Sequence, residues 1–446
     1  MEKPTSPGGR PASRQPSTGR FGLLAALPAG TIPVALGLVV SGFATYAFQI
    51  IAFRSLGAEP YAALNGLWVI AFILAPGLFL PLEQEVARAL AHRRARGEGG
   101  RPLLMKAAGL GLGLTVGVVA LLFAFREPIE QRLLRSDDRL FAALVAVLIG
   151  WALMSLARGA LSGNARFGRY AIVVGVDGLS RAVGAAALVI VGYTTLGWFG
   201  VVFALAPYAA IVFGLAGARR LAIPGPPARM SELSTAMGWL LLGSTSAQAL
   251  SYSAYVGASL LATPAQNAEL GAFVAALFIA RIPLLLFQAV QAALLPRLAG
   301  LLSQNRLDEF RHGFGRLLGV VVALSAVGSL LALVAGPMIG RLLFGAGFTI
   351  SGPALASLTA GVCLVVIGLT LAQALIALRR YAIAPIAWIV GVGVFLLLLL
   401  GRSGDVFARA EAAFAVASAV VALGLAVATW MIIRRMSGTA VEAGSS

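Results

Sequence analysis

Two arginines lie deep inside hydrophobic segments that are long enough to cross a membrane. Arg181 follows Asp177 by four residues, and Arg281 stands two residues before Pro283 in the other half of the chain. A guanidinium group at the middle of a bilayer is costly, and it almost always faces a protein interior or a water-filled cavity. Its planar fork stays charged and matches the oxygens of a phosphate group. The two arginines therefore predict a central cavity that binds an anionic substrate.

Each arginine also has a structural interpretation. A helix would bring Asp177 and Arg181 together as an ion pair, because the two residues are four positions apart. Asp177 then either ties Arg181 permanently, holds it until a diphosphate displaces it, or couples transport to protons. Arg281 has no acid three or four residues away. Its structural alternative is therefore a bond to a backbone carbonyl or to a distant acid, and Pro283 is expected to disturb the helix beside it.

Further candidates line or flank the same segments. Arg54 closes the first segment, where it either reaches out to the interface or contacts the substrate headgroup on release. Glu83 and Glu85 end the second segment, where they either pair with Arg88 or serve as a gate or coupling site. Uncharged polar residues within the segments predict hydrogen bonds between helices or contacts to sugar hydroxyls. The candidates of this kind are Gln49, Asn65, Gln248, Tyr252, Gln288 and Gln291.

The composition defines the class of protein. Of 446 residues, 59% are hydrophobic and 11% are charged, and the mean hydropathy is +0.91. A soluble chain of this length could not bury so much apolar surface, so we predict a polytopic membrane protein. The only cysteine, Cys363, excludes a disulfide within the chain, and no glycine–lysine pair forms a phosphate-binding loop. We expect no metal site, no cofactor and no enzymatic activity, with a membrane glycosyltransferase or polymerase as the less favoured enzyme.

Apolar runs of about 20 residues predict an all-α fold with about twelve transmembrane helices. The runs are 31–53, 61–82, 103–125, 139–160, 168–192, 195–217, 234–257, 270–295, 317–339, 350–377, 380–401 and 408–433. Arg and Lys are concentrated in the loops on the side of both termini, which places the termini in the cytoplasm. The formal charge of +17 is therefore a topology signal and a contact for anionic lipids, and no nucleic-acid partner is expected.

The spans divide six and six about a polar segment, and the second span of each half shows a weak repeat. Pro76 aligns with Pro283, and Gln84 with Gln291, at a common offset of 207 residues. Such duplications place the substrate between two lobes. The predicted parts are a disordered cytoplasmic tail (1–30), an N-lobe (31–217), a cytoplasmic linker (218–233), a C-lobe (234–434) and a C-terminal tail (435–446).

Residues 53–88, FRSLGAEPYAALNGLWVIAFILAPGLFLPLEQEVAR, resemble the start of the polysaccharide-export flippases. That family belongs to the multidrug/oligosaccharidyl-lipid/polysaccharide exporter (MOP) superfamily. The resemblance implies two six-helix lobes in a bacterial plasma membrane. It also implies a transporter that moves a polyprenyl-diphosphate-linked oligosaccharide to the outer leaflet by alternating access. We expect a monomer, because twelve spans can enclose their own site. A polysaccharide polymerase and glycosyltransferases are the partners that the resemblance implies. The alternative is a cation-coupled multidrug antiporter, whose site should instead present carboxylates.

Overall fold

A computed structural model describes residues 30–135, 137–218, 221–233, 237–284, 306–401 and 403–444. These residues form fourteen α-helices and no β-strand. The helices are α1 (Thr31–Leu56), α2 (Ala58–Ala95), α3 (Arg101–Ala124), α4 (Arg126–Arg132), α5 (Asp138–Gly163), α6 (Phe167–Val191), α7 (Leu196–Leu215), α8 (Met237–Leu261), α9 (Asn267–Ala280), α10 (Leu307–Val334), α11 (Gly336–Phe344), α12 (Gly352–Ala377), α13 (Ile383–Leu400) and α14 (Val406–Gly444).

Within the described residues, eleven helical stretches are long and apolar enough to cross a membrane. A twelfth helix, α8, has 25 residues, which is a sufficient length at 1.5 Å per residue. It is less apolar than the eleven candidate spans because serine, glutamine and tyrosine residues line it. The all-α prediction is confirmed, and the chain is a multi-pass membrane protein. Its uncharged polar side chains make α8 a candidate wall of a hydrophilic site.

The helices pack as two bundles. In the first bundle, α1 packs along α6, α2 along α5, and α7 against both α5 and α6. In the second bundle, α12 packs against α10 and α14, and α13 against α8 and α14. Helix α2 also packs along α8 and α9, so it forms much of the seam between the bundles. We call the end of the molecule near Gly57 the distal end and the end near Gly30 the proximal end. The exact lobe boundaries drawn from the sequence stay a prediction.

Small residues allow the helices of the first bundle to approach closely. A Cβ atom on Gly178 of α6 would lie 2.6 Å from the Cα atom of Ser41 on α1, and one on Gly37 would lie 2.7 Å from the carbonyl oxygen of Ala171. Membrane helices use such contacts because lipid offers no hydrophobic drive for helix association. The α1–α6 contact therefore fixes the depth of Asp177 and Arg181 relative to α1.

The two short helices extend the internal repeat. Helix α4 and helix α11 follow the third long helix of their respective bundles. Their sequences, PIEQRLL at 128–134 and PMIGRLL at 337–343, match at an offset of 209 residues. The predicted spans place 128–134 in a loop, and 337–343 at the end of a span and in the loop that follows it. The shared Pro, Arg and Leu-Leu positions are the signal that would have identified them as equivalent elements.

The polar segment between the bundles is fixed to the first bundle. Arg93 of α2 donates through all three guanidinium nitrogens, with Nε at 2.7 Å and Nη2 at 2.9 Å from the carboxylate of Glu232. Its remaining donors reach the carbonyl oxygens of Gly99, Pro226 and Pro227 at 3.0–3.2 Å. These hydrogen bonds from Arg93 hold the pKa of Glu232 down to about 2. The segment is thus anchored to the proximal end of α2.

Candidate functional site

Arg281 lies at the point where α9 ends. The helix runs to Ala280, and Arg281 forms its C-terminal cap two residues before Pro283, which confirms the predicted disturbance. The guanidinium Nη2 donates to the carbonyl oxygen of Ser251 at 2.6 Å. The guanidinium carbon lies 3.6 Å from the centre of the Tyr252 ring, which is a close cation–π contact. The side chain is partly exposed, and the structure gives its guanidinium no carboxylate partner within the described residues.

The polar face of α8 runs along the seam toward α2. Gln248 donates to the carbonyl oxygen of Phe72 at 2.9 Å, and Tyr255 donates to that of Ala62 at 2.9 Å. Tyr252 lies between them on the same face, where it supports Arg281. The predicted hydrogen bonding between helices is therefore present at Gln248, and Tyr255 adds a second bond of this kind. Because α2 and α8 belong to different bundles, Arg281 lies at the seam where the bundles meet.

Arg181 has different surroundings. It is almost completely buried, at 1% exposure, and its Nη2 is paired with the carboxylate of Asp177 one helical turn earlier. Its guanidinium carbon lies 5.4 Å from the ring centres of Trp68 and Phe203 and 5.9 Å from that of Phe72. Asp177 Oδ1 and Arg181 Nε are buried without hydrogen-bond partners. The predicted ion pair exists, and three aromatic rings enclose it inside the first bundle.

Aromatic rings separate the two arginines. Phe72, beside Arg181, lies 6.5 Å from Tyr252 between ring centres, and Tyr252 carries Arg281 on its face. Arg181 is ten residues before the end of α6, and Tyr252 is nine residues before the end of α8. At 1.5 Å per residue, both sites are about 15 Å from the distal ends of their helices. The arginines share a depth but face different compartments, one inside a bundle and one at the seam.

Arg54 connects the two bundles at the distal end. Its Nε and Nη2 donate to the carbonyl oxygens of Leu343 at 2.8 Å and Leu342 at 2.6 Å, in the last turn of α11. A cation at a helix C-terminus also interacts favourably with the helix dipole. Nearby, Asn267 of α9 donates to Glu59 of α2 at 3.2 Å. These contacts close the distal end, and they occupy the guanidinium that the sequence analysis offered as a headgroup contact.

Glu83 and Glu85 belong to two different networks. Glu85 pairs with Arg88 at 2.7 Å, as one interpretation of the sequence predicted. Glu83 instead approaches Arg158 of α5 at 3.2 Å and accepts a hydrogen bond from Tyr170 of α6 at 2.9 Å. Arg158 in turn donates to the Tyr170 hydroxyl at 3.0 Å. The pairing of Glu83 with Arg88 was therefore wrong, because Arg158 and Tyr170 face Glu83 from neighbouring helices.

Of the remaining polar candidates, the structure describes Gln49 and Asn65. The side-chain nitrogen of Asn65 donates to the carbonyl oxygen of Tyr61 at 2.9 Å within α2. Gln49 is 1% exposed, and both of its side-chain polar atoms are buried without a partner. Gln288 and Gln291 lie outside the described residues. Within the described part of the chain, no group of three or more His, Cys, Asp or Glu side chains could hold a metal ion.

Comparison with solved structures defines the fold. The chain superposes on an inward-facing multidrug resistance MATE family transporter of the MOP superfamily with a TM-score of 0.72, at 14% identity, covering 91% of this chain and 99% of that one. An outward-facing transporter of that family gives a TM-score of 0.66, at 14% identity over 95% and 100% of the chains. A mutant Vibrio cholerae MATE transporter gives 0.67, at 15% identity over 93% and 98%. The chain therefore has the MATE transporter fold.

Sequence comparison adds relatives without a described activity. A protein of Mycobacterium tuberculosis strain H37Rv and one of Mycobacterium bovis, both called uncharacterized, are each 27% identical to this chain over 409 residues. The match covers 88% of this chain and 90% of each relative. No family model matches the chain. The relatives therefore match this chain over most of its length but add no substrate.

Proposed function

We propose that this chain is a transporter that moves a polyprenyl-diphosphate-linked oligosaccharide from the cytoplasmic to the outer leaflet by alternating access between its two bundles. The observation that carries the proposal is Arg281, a guanidinium at mid-membrane depth on the seam between the bundles. One of its nitrogens binds a single carbonyl and one of its faces lies on Tyr252. The fold supports the transport class, because it is the fold of MATE transporters.

In this proposal the chemistry at Arg281 is reversible anion binding. The break in α9 at Ala280 leaves the guanidinium at a helix end, and Ser251 and Tyr252 hold it in place. Charge-assisted hydrogen bonds from arginine to phosphate are strong and can be bidentate. The diphosphate would bind here while the prenyl chain stays in lipid. The polar face of α8, with Gln248 and Tyr255, would face the glycan when the bundles part.

Arg181 takes a second place in the proposal. It would contact the substrate only after Asp177 releases it and the aromatic rings of Trp68 and Phe72 move. The orphaned polar atoms of the pair support such a rearrangement, since buried polar groups normally have a partner. Asp177 stays the predicted coupling residue. Arg54 would contact the substrate headgroup on release, after its bonds to Leu342 and Leu343 break and the distal end opens. The polymerase and glycosyltransferase partners, the monomeric state, the cytoplasmic termini and the bacterial plasma membrane are part of the same proposal.

The competing function is export of cationic drugs, because the solved structures with this fold include multidrug resistance transporters. A site for a cation should present carboxylates at the seam. Here the seam presents Arg281, and the buried Asp177 is already paired with Arg181. The anion is therefore the better match for this seam.

Native mass spectrometry of the gently purified protein tests the proposal. We expect a co-purified mass of a polyprenyl-diphosphate glycan with the native chain and with Arg341→Gln, and its loss with Arg281→Gln. Arg341 is the matched control, because it is an exposed arginine of the second bundle. A glycolipid retained by Arg281→Gln would remove Arg281 from the site. Bound cationic amphiphiles in place of the glycolipid would favour the multidrug antiporter.

A further inference from the structure

A second guanidinium lies beside the seam, closer to the distal end. Arg135 belongs to the loop between α4 and α5 and has a left-handed backbone conformation, with a φ of +55°. Its Nη2 atom is buried and has no hydrogen-bond partner. A buried, charged donor without a partner is rare in folded proteins, so its position needs an explanation. A left-handed conformation is also uncommon for residues other than glycine, and such residues concentrate at functional sites.

The loop that carries Arg135 is held firmly against α2. Leu133 and Leu134 are buried. The carbonyl oxygen of Leu133 contacts Gly66 so closely that a Cβ atom there would lie 1.9 Å from it. Any other residue at Gly66 would therefore displace the loop. This contact fixes the loop, and with it the backbone of Arg135, at the edge of the seam.

Polar groups of both bundles surround the same point. Tyr255 of α8 lies close enough to Arg135 for an electrostatic interaction, and its hydroxyl reaches the Ala62 carbonyl beside Gly66. On α2, the side-chain oxygens of Tyr61 and Asn65 are also buried. The cluster thus contains one cationic donor without a hydrogen-bond partner beside buried polar groups of both bundles. These groups would become accessible when the bundles part at the distal end.

The cluster lies on the route from Arg281. Tyr252, Tyr255 and Ser259 follow one another along one face of α8 at spacings of three and four residues. Seven residues of helix correspond to about 10 Å, which is a short step for a diphosphate group. Arg54, another arginine at this end, already binds the carbonyl oxygens of Leu342 and Leu343. Arg135 therefore offers the next guanidinium along the seam.

We propose that Arg135 forms a second anion-binding station, which accepts the phosphate group of the substrate from Arg281 when the distal end opens. This inference rests on the proposed function. In the closed state the Nη2 atom of Arg135 is buried at the seam without a hydrogen-bond partner. Opening exposes this atom and lets a phosphate oxygen supply the missing acceptor, so the station favours release toward the distal side.

The test compares the closed and the released distal end in one protein. In a Cys363→Ala background, Glu59→Cys and Asn267→Cys remove the hydrogen bond between α2 and α9. A reducible bis-methanethiosulfonate reagent then cross-links the two new thiols. The probes are farnesyl diphosphate and inorganic pyrophosphate, and their affinities are measured by calorimetry with and without the cross-link. Arg135→Gln is compared with Arg132→Gln, because Arg132 is an exposed arginine just before the same loop.

We expect Arg135→Gln to weaken farnesyl diphosphate binding about tenfold in the released protein, since a hydrogen bond to a charged group is lost. Arg132→Gln should have no measurable effect, and Arg135→Gln should have none in the cross-linked protein. A matching loss with pyrophosphate would show that the station binds phosphate itself, and a loss with farnesyl diphosphate alone would show that the lipid is its ligand.

Two results would overturn the station. One is equal affinity of Arg135→Gln and Arg132→Gln in the released protein. The other is an equal loss in the cross-linked protein, which would show an indirect effect on folding. Arg135→Lys keeps the charge and should retain most of the affinity if the fold is intact. Arg281→Gln is measured beside them, because its loss of binding depends on the proposed function and not on Arg135.

Discussion

Arg181 and Arg281 are the same residue type at the same depth, yet they differ in what surrounds them. Arg181 is paired with Asp177 and enclosed by aromatic rings inside one bundle. Arg281 donates to one carbonyl and lies on one ring at the seam between bundles. For Arg181, the carboxylate of Asp177 offsets the cost of placing a charge in the membrane. For Arg281, the Ser251 carbonyl offsets only part of that cost, which leaves the guanidinium available to a ligand.

A third arginine extends the comparison. Arg93 is 2% exposed, and its guanidinium donors are taken by Glu232 and by backbone carbonyls. It has no capacity left for a ligand, and it holds the inter-bundle segment in place. Burial alone therefore does not identify a binding arginine. A carboxylate partner separates Arg93 and Arg181, which pair with Glu232 and Asp177, from Arg281, which has none among the described residues.

The largest expected effect concerns the enclosed pair. Asp177→Asn leaves Arg181 buried without a countercharge and should lower the free energy of unfolding by about 3–5 kcal/mol. Arg281→Gln loses one hydrogen bond to a carbonyl and should cost about 1 kcal/mol. Thermal unfolding in detergent measures both. Replacing the pair with Asp177→Leu and Arg181→Met should recover most of the loss. A native-like melting temperature for Asp177→Asn alone would mean that Arg181 does not depend on this carboxylate.

The next effect concerns ligand binding at the seam. Arg281→Lys keeps the charge but loses the planar fork, so farnesyl diphosphate binding should weaken about tenfold, while Arg281→Gln should weaken it further. Arg181→Lys should change this affinity much less, because Asp177 and three rings separate Arg181 from the seam. Equilibrium titration of the purified variants measures the difference. If Arg281→Lys binds like the native chain, a point charge suffices and the bidentate contact is excluded.

The sequence predicted the helices well, because long apolar runs leave few alternatives in a membrane. It also located the break beside Arg281 from Pro283. It did not predict the pairing of Glu83 with Arg158, since 75 residues separate them and only the packing of α2 on α5 brings them together. The sequence indicates the Asp177–Arg181 pair, but for the same reason it does not show that three aromatic rings enclose this pair. Helix contacts decide which side of α2 Arg181 and Arg281 each face, and a one-dimensional pattern does not contain those contacts.

Acidification should release Arg93 from its ion pair with Glu232. The pKa of Glu232 is lowered to about 2 by its hydrogen bonds with Arg93. The stabilisation is therefore fully present above the ordinary glutamate pKa of about 4.3 and is lost as the pH falls toward 2. Because Glu232 is partly exposed, we expect a contribution of about 1–2 kcal/mol. The difference in unfolding free energy between the native chain and Glu232→Gln should shrink over this window. A difference independent of pH would exclude the ion pair as its source.

The smallest expected effect concerns the contacts that orient the Arg281 guanidinium. Tyr252→Leu removes the ring beneath the guanidinium, and a cation–π contact is worth about 0.5–1 kcal/mol at a partly exposed site. Farnesyl diphosphate binding should therefore weaken about twofold to fivefold, whereas Tyr252→Phe keeps the ring and should bind like the native chain. Equal losses for the two variants would assign the role to the hydroxyl group instead of the ring. An unchanged affinity for both would mean that the Ser251 carbonyl alone orients Arg281. Arg281 would then differ from Arg181 in being held by a backbone carbonyl instead of a carboxylate.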